Sequence, residues 1–192
     1  MKLLLFIPIL LMLSCQKEEG PKSRPSTLTQ KKLGGEITLA HKSGEWKLSS
    51  TNGKLRVLYF GFTTCPDICP MALTKLSKVL KRLSPEQFSQ VQPVFISVDW
   101  KRDTPQSVDE YVDFFGKGYI GLTGSESQIK KVAEDYGVFF EFVPLKDSAL
   151  KYTVDHTSRY YVIDKQGNFY KSYSNITDEP NFIVDITTLL RK

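Results

Sequence analysis

The chain predicts an α/β domain: a mixed sheet with helices packed against it. Three features carry that expectation. Apolar, strand-like runs alternate with segments of helical periodicity between Leu55 and Tyr136. The run Leu55–Phe60 shows no polar alternation, as a central strand buried on both faces would. Two strand signals, Ser158–Ile163 and Asn168–Tyr173, flank the turn Asp164–Gly167 and give the sheet an antiparallel end.

Taken in order, Glu36–Ala40 and Glu45–Leu48 are two short strands joined around Ser43-Gly44. Asn52-Gly53 turns the chain into Leu55–Gly61. Met71, Leu73, Leu76, Val79, Leu80 and Leu83 then recur at helical spacing, and Ser84-Pro85 ends that helix. Val91–Val98 is the next strand. Thr104 followed by Pro105 is an N-cap and first-turn pair, starting a helix that runs to about Phe115. A short strand near Tyr119-Ile120 precedes a helix over Ser125–Tyr136, where Ser125 and Gln128 form a capping box. Val138–Val143 is apolar and aromatic, Tyr152–Thr153 leads to Asp155-His156, and Pro180–Leu190 closes the chain as a helix.

The 192 residues are 41% hydrophobic and 24% charged, room for one domain with extensions. A domain of about 150 residues buries roughly 70% of its unfolded surface and needs no disulfide or structural metal to fold. The net charge is +5, with basic residues scattered among acids rather than clustered with aromatics, which argues against a nucleic-acid partner.

Residues 1–15 have the pattern of an export signal. Lys2 precedes eleven apolar residues, Leu3–Leu13, too few to span a bilayer, and Ser14-Cys15 resembles a bacterial lipoprotein cleavage site. Cys15 is therefore the expected lipidation point. Residues 16–34, polar and broken by Gly20, Pro21 and Pro25, are expected to be a flexible tether, with the folded domain over 35–192. The expected location is outside the cytoplasmic membrane, facing the periplasm or cell exterior and held by the lipid.

Apart from Cys15, the only thiols are Cys65 and Cys69, between a strand and a helix start. A helix N-terminus favours thiolate, the form that binds soft metals and attacks disulfides. If Cys65 to Cys69 is a helical turn, the spacing of four puts both sulfurs on one face. The pair alone leaves metal binding and thiol–disulfide exchange open. Of the two histidines, His41 is expected to be a solvated loop residue. His156 either caps a turn with Asp155 or brings a third ligand over the cysteines, with Asp155 orienting its ring. Two thiolates and an imidazole suit copper as Cu(I) or Cu(II).

Three separated segments make the pattern specific: Phe-Gly-Phe-Thr-Thr-Cys-Pro-Asp-Ile-Cys-Pro over 60–70, Ile96–Asp99 with Arg102–Pro105, and Val154-Asp155-His156-Thr157. Over about residues 35–192 they resemble the SCO/SenC family of copper-binding, thioredoxin-like proteins. The resemblance implies a thioredoxin-like fold and copper held by Cys65, Cys69 and His156. It also implies a role in delivering copper to the dinuclear site of cytochrome c oxidase subunit II, or another copper protein, or in reducing its thiols. Two departures stand out. Trp100-Lys101 replaces a common Pro-Glu, which predicts an exposed aromatic near the site, and Thr157 replaces Ser. A thiol–disulfide oxidoreductase using Cys65 and Cys69 is the alternative, as is a copper or redox sensor.

Overall fold

The computed structural model describes residues 32–174 and 179–191. The predicted leader, Cys15 and most of the tether lie outside those residues. Gly34, assigned to the tether, donates its N–H to the Asp135 carbonyl at 2.9 Å, so the folded body reaches back to it.

A hairpin of β1 (Thr38–His41) and β2 (Gly44–Lys47) comes first, followed by a short 3-10 turn. Next are β3 (Leu55–Gly61), α1 (Ile68–Leu80), α2 (Pro85–Ser89), β4 (Val91–Ser97), α3 (Pro105–Asp113), β5 (Ile120–Leu122) and α4 (Glu126–Tyr136). Four strands then follow, β6 (Phe140–Pro144), β7 (Tyr152–His156), β8 (Arg159–Ile163) and β9 (Phe169–Ser174), and α5 (Glu179–Leu190) ends the fold.

The central sheet has the order β5-β4-β3-β8-β9. β3, β4 and β5 are parallel, while β8 and β9 return antiparallel, as the strand–helix alternation and closing hairpin predict. Every residue of β3 is buried, because the strand lies mid-sheet with helices over both faces. On one face Tyr160 donates to the Ala72 carbonyl of α1 at 2.7 Å and meets Phe182 of α5 ring to ring at 5.6 Å, and Phe95 meets Tyr111 of α3 at 5.3 Å. On the other, Phe60 and Tyr161 pack on Tyr136 of α4 at 6.1 and 6.3 Å. Arg56, buried in β3, sends its guanidinium to the carbonyls of Thr51, Lys54 and Lys165, joining two loops at the end of the sheet remote from the cysteines.

Four local expectations are corrected. The first helix begins at Ile68, before Met71. Ser84-Pro85 does not merely stop that helix: Ser84 caps α2 in a capping box with Gln87, and Pro85 fills the first turn. His41 is not a solvated loop residue. It ends β1, with Nε2 3.0 Å from the buried Asp109 carboxylate and Nδ1 2.8 Å from Ser43 Oγ. Finally, the strand within the run Val138–Val143 begins only at Phe140, and it pairs as β6 with β7 in a separate two-stranded sheet, in the register Phe140↔His156 to Pro144↔Tyr152. Only Val154 of its ten residues is buried, so the hairpin lacks the alternating apolar face that sequence periodicity detects.

Candidate metal centre

Parallel β3 ends at Gly61 and hands the chain to a loop carrying Cys65, after which Cys69 enters the first turn of α1. Gly61 is required by close approach. A Cβ there would lie 2.6 Å from the Cys69 sulfur and 2.8 Å from the Phe95 ring, so any side chain displaces the thiol. The two cysteines do not share a helical turn. Asp67 stands at the N-cap without capping, and the Cys65 sulfur instead accepts the Cys69 N–H at 3.5 Å. The loop thus folds the first thiol over the helix N-terminus, satisfying one of its free N–H groups.

His156 arrives from the opposite side, at the end of β7. Its Nε2 lies 3.3 Å from the Cys69 sulfur, and one donor atom from each of Cys65, Cys69 and His156 falls within 4.8 Å of the other two. Phe62 and Tyr59 set the ring edge-on at 5.8 and 6.3 Å. Asp155 does not orient the imidazole. Neighbouring residues of a strand project to opposite faces, and Asp155 is exposed. The Nδ1 atom faces the Thr157 carbonyl at 3.3 Å instead.

The second sequence segment holds both halves of the site. The Asp103 carboxylate accepts the Thr63 N–H at 2.9 Å, the Thr63 hydroxyl at 2.6 Å and the Ser97 hydroxyl, fixing the cysteine loop to the end of β4. Asp99, fully buried, accepts from Arg102 Nε and from the Tyr152 hydroxyl at 2.9 Å. Arg102 also donates to the Tyr152 carbonyl at 3.0 Å, and its guanidinium lies 3.9 Å from the Tyr152 ring centre. These contacts hold the β6–β7 hairpin, and hence His156, above the cysteines. Trp100 is half-buried rather than exposed. It packs edge-on against Phe140 and Phe142 at 5.5 and 4.8 Å, so it seats the same hairpin. Thr157 locks the hairpin's base, its hydroxyl accepting the Phe139 N–H at 3.0 Å and its N–H donating to the Phe139 carbonyl at 2.9 Å.

Residues 25–191 match the SCO1/SenC family. The chain belongs to that family. It is 38% identical over 166 residues to an SCO2-like protein of Rickettsia conorii, covering 85% of this chain and 80% of that one. Among solved structures it superposes on Arabidopsis thaliana ScoI with copper bound, with TM-score 0.75 and 39% identity, covering 83% of this chain and 98% of the other. Yeast Sco1 with copper bound gives TM-score 0.74 and 34% identity over 84% and 90% of the two chains. The fold is thus the thioredoxin-like fold of the Sco structures, with the β1–β2 hairpin as its N-terminal extension.

In this SCO1/SenC chain the two thiols are electrostatically unlike. Cys65 is held down to about 4, chiefly by the hydrogen bond from Cys69, with further donation from His156 and the Asp67 and Cys69 amides outweighing partial burial. Cys69 is pushed far up, first because its proton serves Cys65 and then because it is buried. Cys65 is therefore the thiolate and Cys69 the thiol. In the reduced, metal-free chain, iodoacetamide is expected to modify Cys65 well before Cys69. Since the depressed group is ionised above its own pKa, the rate stays level as pH falls from neutrality and drops only as about 4 is approached. Peptide mass mapping scores Cys15 separately. A rate that falls below an ordinary thiol pKa near 8.5 would remove the depressed thiolate.

Proposed function

We propose that this chain is a metallochaperone that takes one copper ion as cargo on Cys65 Sγ, Cys69 Sγ and His156 Nε2. Its acceptor is the dinuclear copper site of cytochrome c oxidase, as the family resemblance implies. The observation that carries this reading is the convergence of those three donor atoms from the loop after β3, the first turn of α1 and the end of β7. The donor set suits copper: thiolates favour Cu(I), and an added imidazole accommodates Cu(II). Two relatives described with copper bound, at 39% and 34% identity, support it further. On this reading the domain works outside the cytoplasmic membrane, anchored through a lipid on Cys15.

Titrating the reduced full chain with copper should give one tight equivalent, with thiolate charge-transfer absorption for Cu(II). His156→Ala should weaken it by more than the ~10–100-fold typical of losing a partner that merely orients a ligand. Unchanged affinity in that variant would take His156 out of the site.

The asymmetry of the thiols supports a second reading, a thiol–disulfide reductant. The Cys65 thiolate attacks one sulfur of a partner disulfide, and the partner's other sulfur leaves as thiolate. Cys69, on losing its proton, attacks the Cys65 sulfur and releases the partner as a dithiol. Two electrons pass to the partner, leaving a Cys65–Cys69 disulfide. A single-turnover exchange assay tests it, and His156→Ala should slow that exchange far less than it weakens copper binding, because the hydrogen bond from Cys69 is the larger cause of the Cys65 thiolate.

A further inference from the structure

A second face of the domain carries chemistry that copper handling leaves unused. α1 starts at the cysteines, and Leu80 lies 11 residues beyond Cys69, about 16 Å down the helix axis. The loop 114–119 enters β5, which is parallel to β3, so that loop lies at the end of the sheet opposite the metal centre. Between α1, α2 and this loop is an apolar groove of about 370 Å³, lined by Leu80, Leu83, Pro85, Phe88, Phe115 and Tyr119. Lys81 and Lys117 line it too, and Phe114 beside it is 86% exposed, the most exposed large apolar side chain among the described residues. Both lysines are exposed, and residues 68–84 contain no Asp or Glu. The acids bordering the face are Glu86, which accepts the Ser84 hydroxyl at 2.7 Å, and Asp113.

An exposed aromatic beside an apolar groove ringed by lysines is the chemistry of a surface that enters a bilayer interface and meets lipid phosphates. We infer that this face rests on an anionic membrane, with Phe114 among the headgroups and Lys81 and Lys117 against them, so that Cys65, Cys69 and His156 point away from the lipid. The inference rests on the proposed anchoring at Cys15. A tether over residues 16–31 reaches at most about 55 Å, so even weak contact is favoured by millimolar effective concentration. The tether does not choose which face turns to the lipid; the groove, Phe114 and the lysines do.

The test uses full-length lipidated chain in vesicles rich in phosphatidylglycerol, or of phosphatidylcholine alone, each with brominated acyl chains. Emission is read from Phe114→Trp and, at the metal end, from Phe139→Trp, against the unsubstituted chain with its own Trp46 and Trp100. Phe114→Trp is expected to be quenched and blue-shifted on phosphatidylglycerol vesicles, and to recover in 1 M salt, while Phe139→Trp is unaffected. Adding Lys81→Gln and Lys117→Gln, which neutralise the charge, should weaken that contact by about fivefold per lysine. Flotation with the vesicles reports the anchor separately. An N-terminally His-tagged chain held on nickel-chelating lipid repeats the measurement without Cys15. Equal quenching at both positions, or none at Phe114→Trp on either preparation, overturns the inference. So does one-to-one binding of monomeric laurate in the groove without bilayer quenching, which would give the groove to a soluble amphiphile.

Discussion

Cys65→Ala is expected to abolish stoichiometric copper binding, the largest functional loss of any single substitution in this chain. It removes the sulfur that is already ionised at neutral pH and leaves the buried Cys69 with His156. Two donors cannot hold a soft cation against thiol competitors as three can, and the remaining thiol must first lose its proton. A secondary effect has a definite sign. The largest influence raising Cys69 is its hydrogen bond with Cys65, so in the variant the Cys69 thiol becomes more acidic, though burial still holds it above an ordinary thiol. Copper titration under competition with a chelator reads the first effect, and thiolate absorption against pH the second. Retention of one tight equivalent in Cys65→Ala would end the three-donor reading.

Asp103→Ala should cost about 3–4 kcal/mol of stability, because three donors around a nearly buried carboxylate lose their acceptor and each unsatisfied group costs about 1–3 kcal/mol, less than additively. It should also weaken copper binding without touching a sulfur, since Thr63 no longer pins the loop that presents Cys65. Asp103→Asn, which keeps one acceptor oxygen, should recover part of both. Urea midpoints and copper competition on the same samples separate the two effects. A folded Asp103→Ala chain with native copper affinity would show that the loop holds its geometry without this carboxylate.

Local chemistry explains why so much of the fold was legible. Apolar strand-forming residues from Leu55 to Phe60 have no solvent face to serve, so only a central strand accommodates them. Thr104-Pro105 and Ser125 with Gln128 announce helix starts through their own backbone hydrogen bonds, and α3 and α4 begin there. The β6–β7 hairpin was not legible. Its strands draw their hold from Trp100, Arg102 and Tyr152, which are remote in sequence or carry no periodic signal. His41 escapes local reasoning for the same reason: its partner, Asp109, is 68 residues away.

Residue order alone marks the candidate donors. Two closely spaced cysteines, a scarce histidine and the segment from Asp99 to Pro105 stand in an order that three separate motifs make specific. How they are held and ionised follows from contacts across the fold. The tertiary structure set Cys65 over the start of α1 rather than on the helix, ionised one thiol at the other's expense, and gave the imidazole to the Thr157 carbonyl instead of Asp155. It also turned Asp99, Arg102 and Asp103 into the clamps that bring loop and hairpin together. Residue identity is written locally, whereas proton affinity and the meeting of distant donors depend on burial and on contacts across the fold.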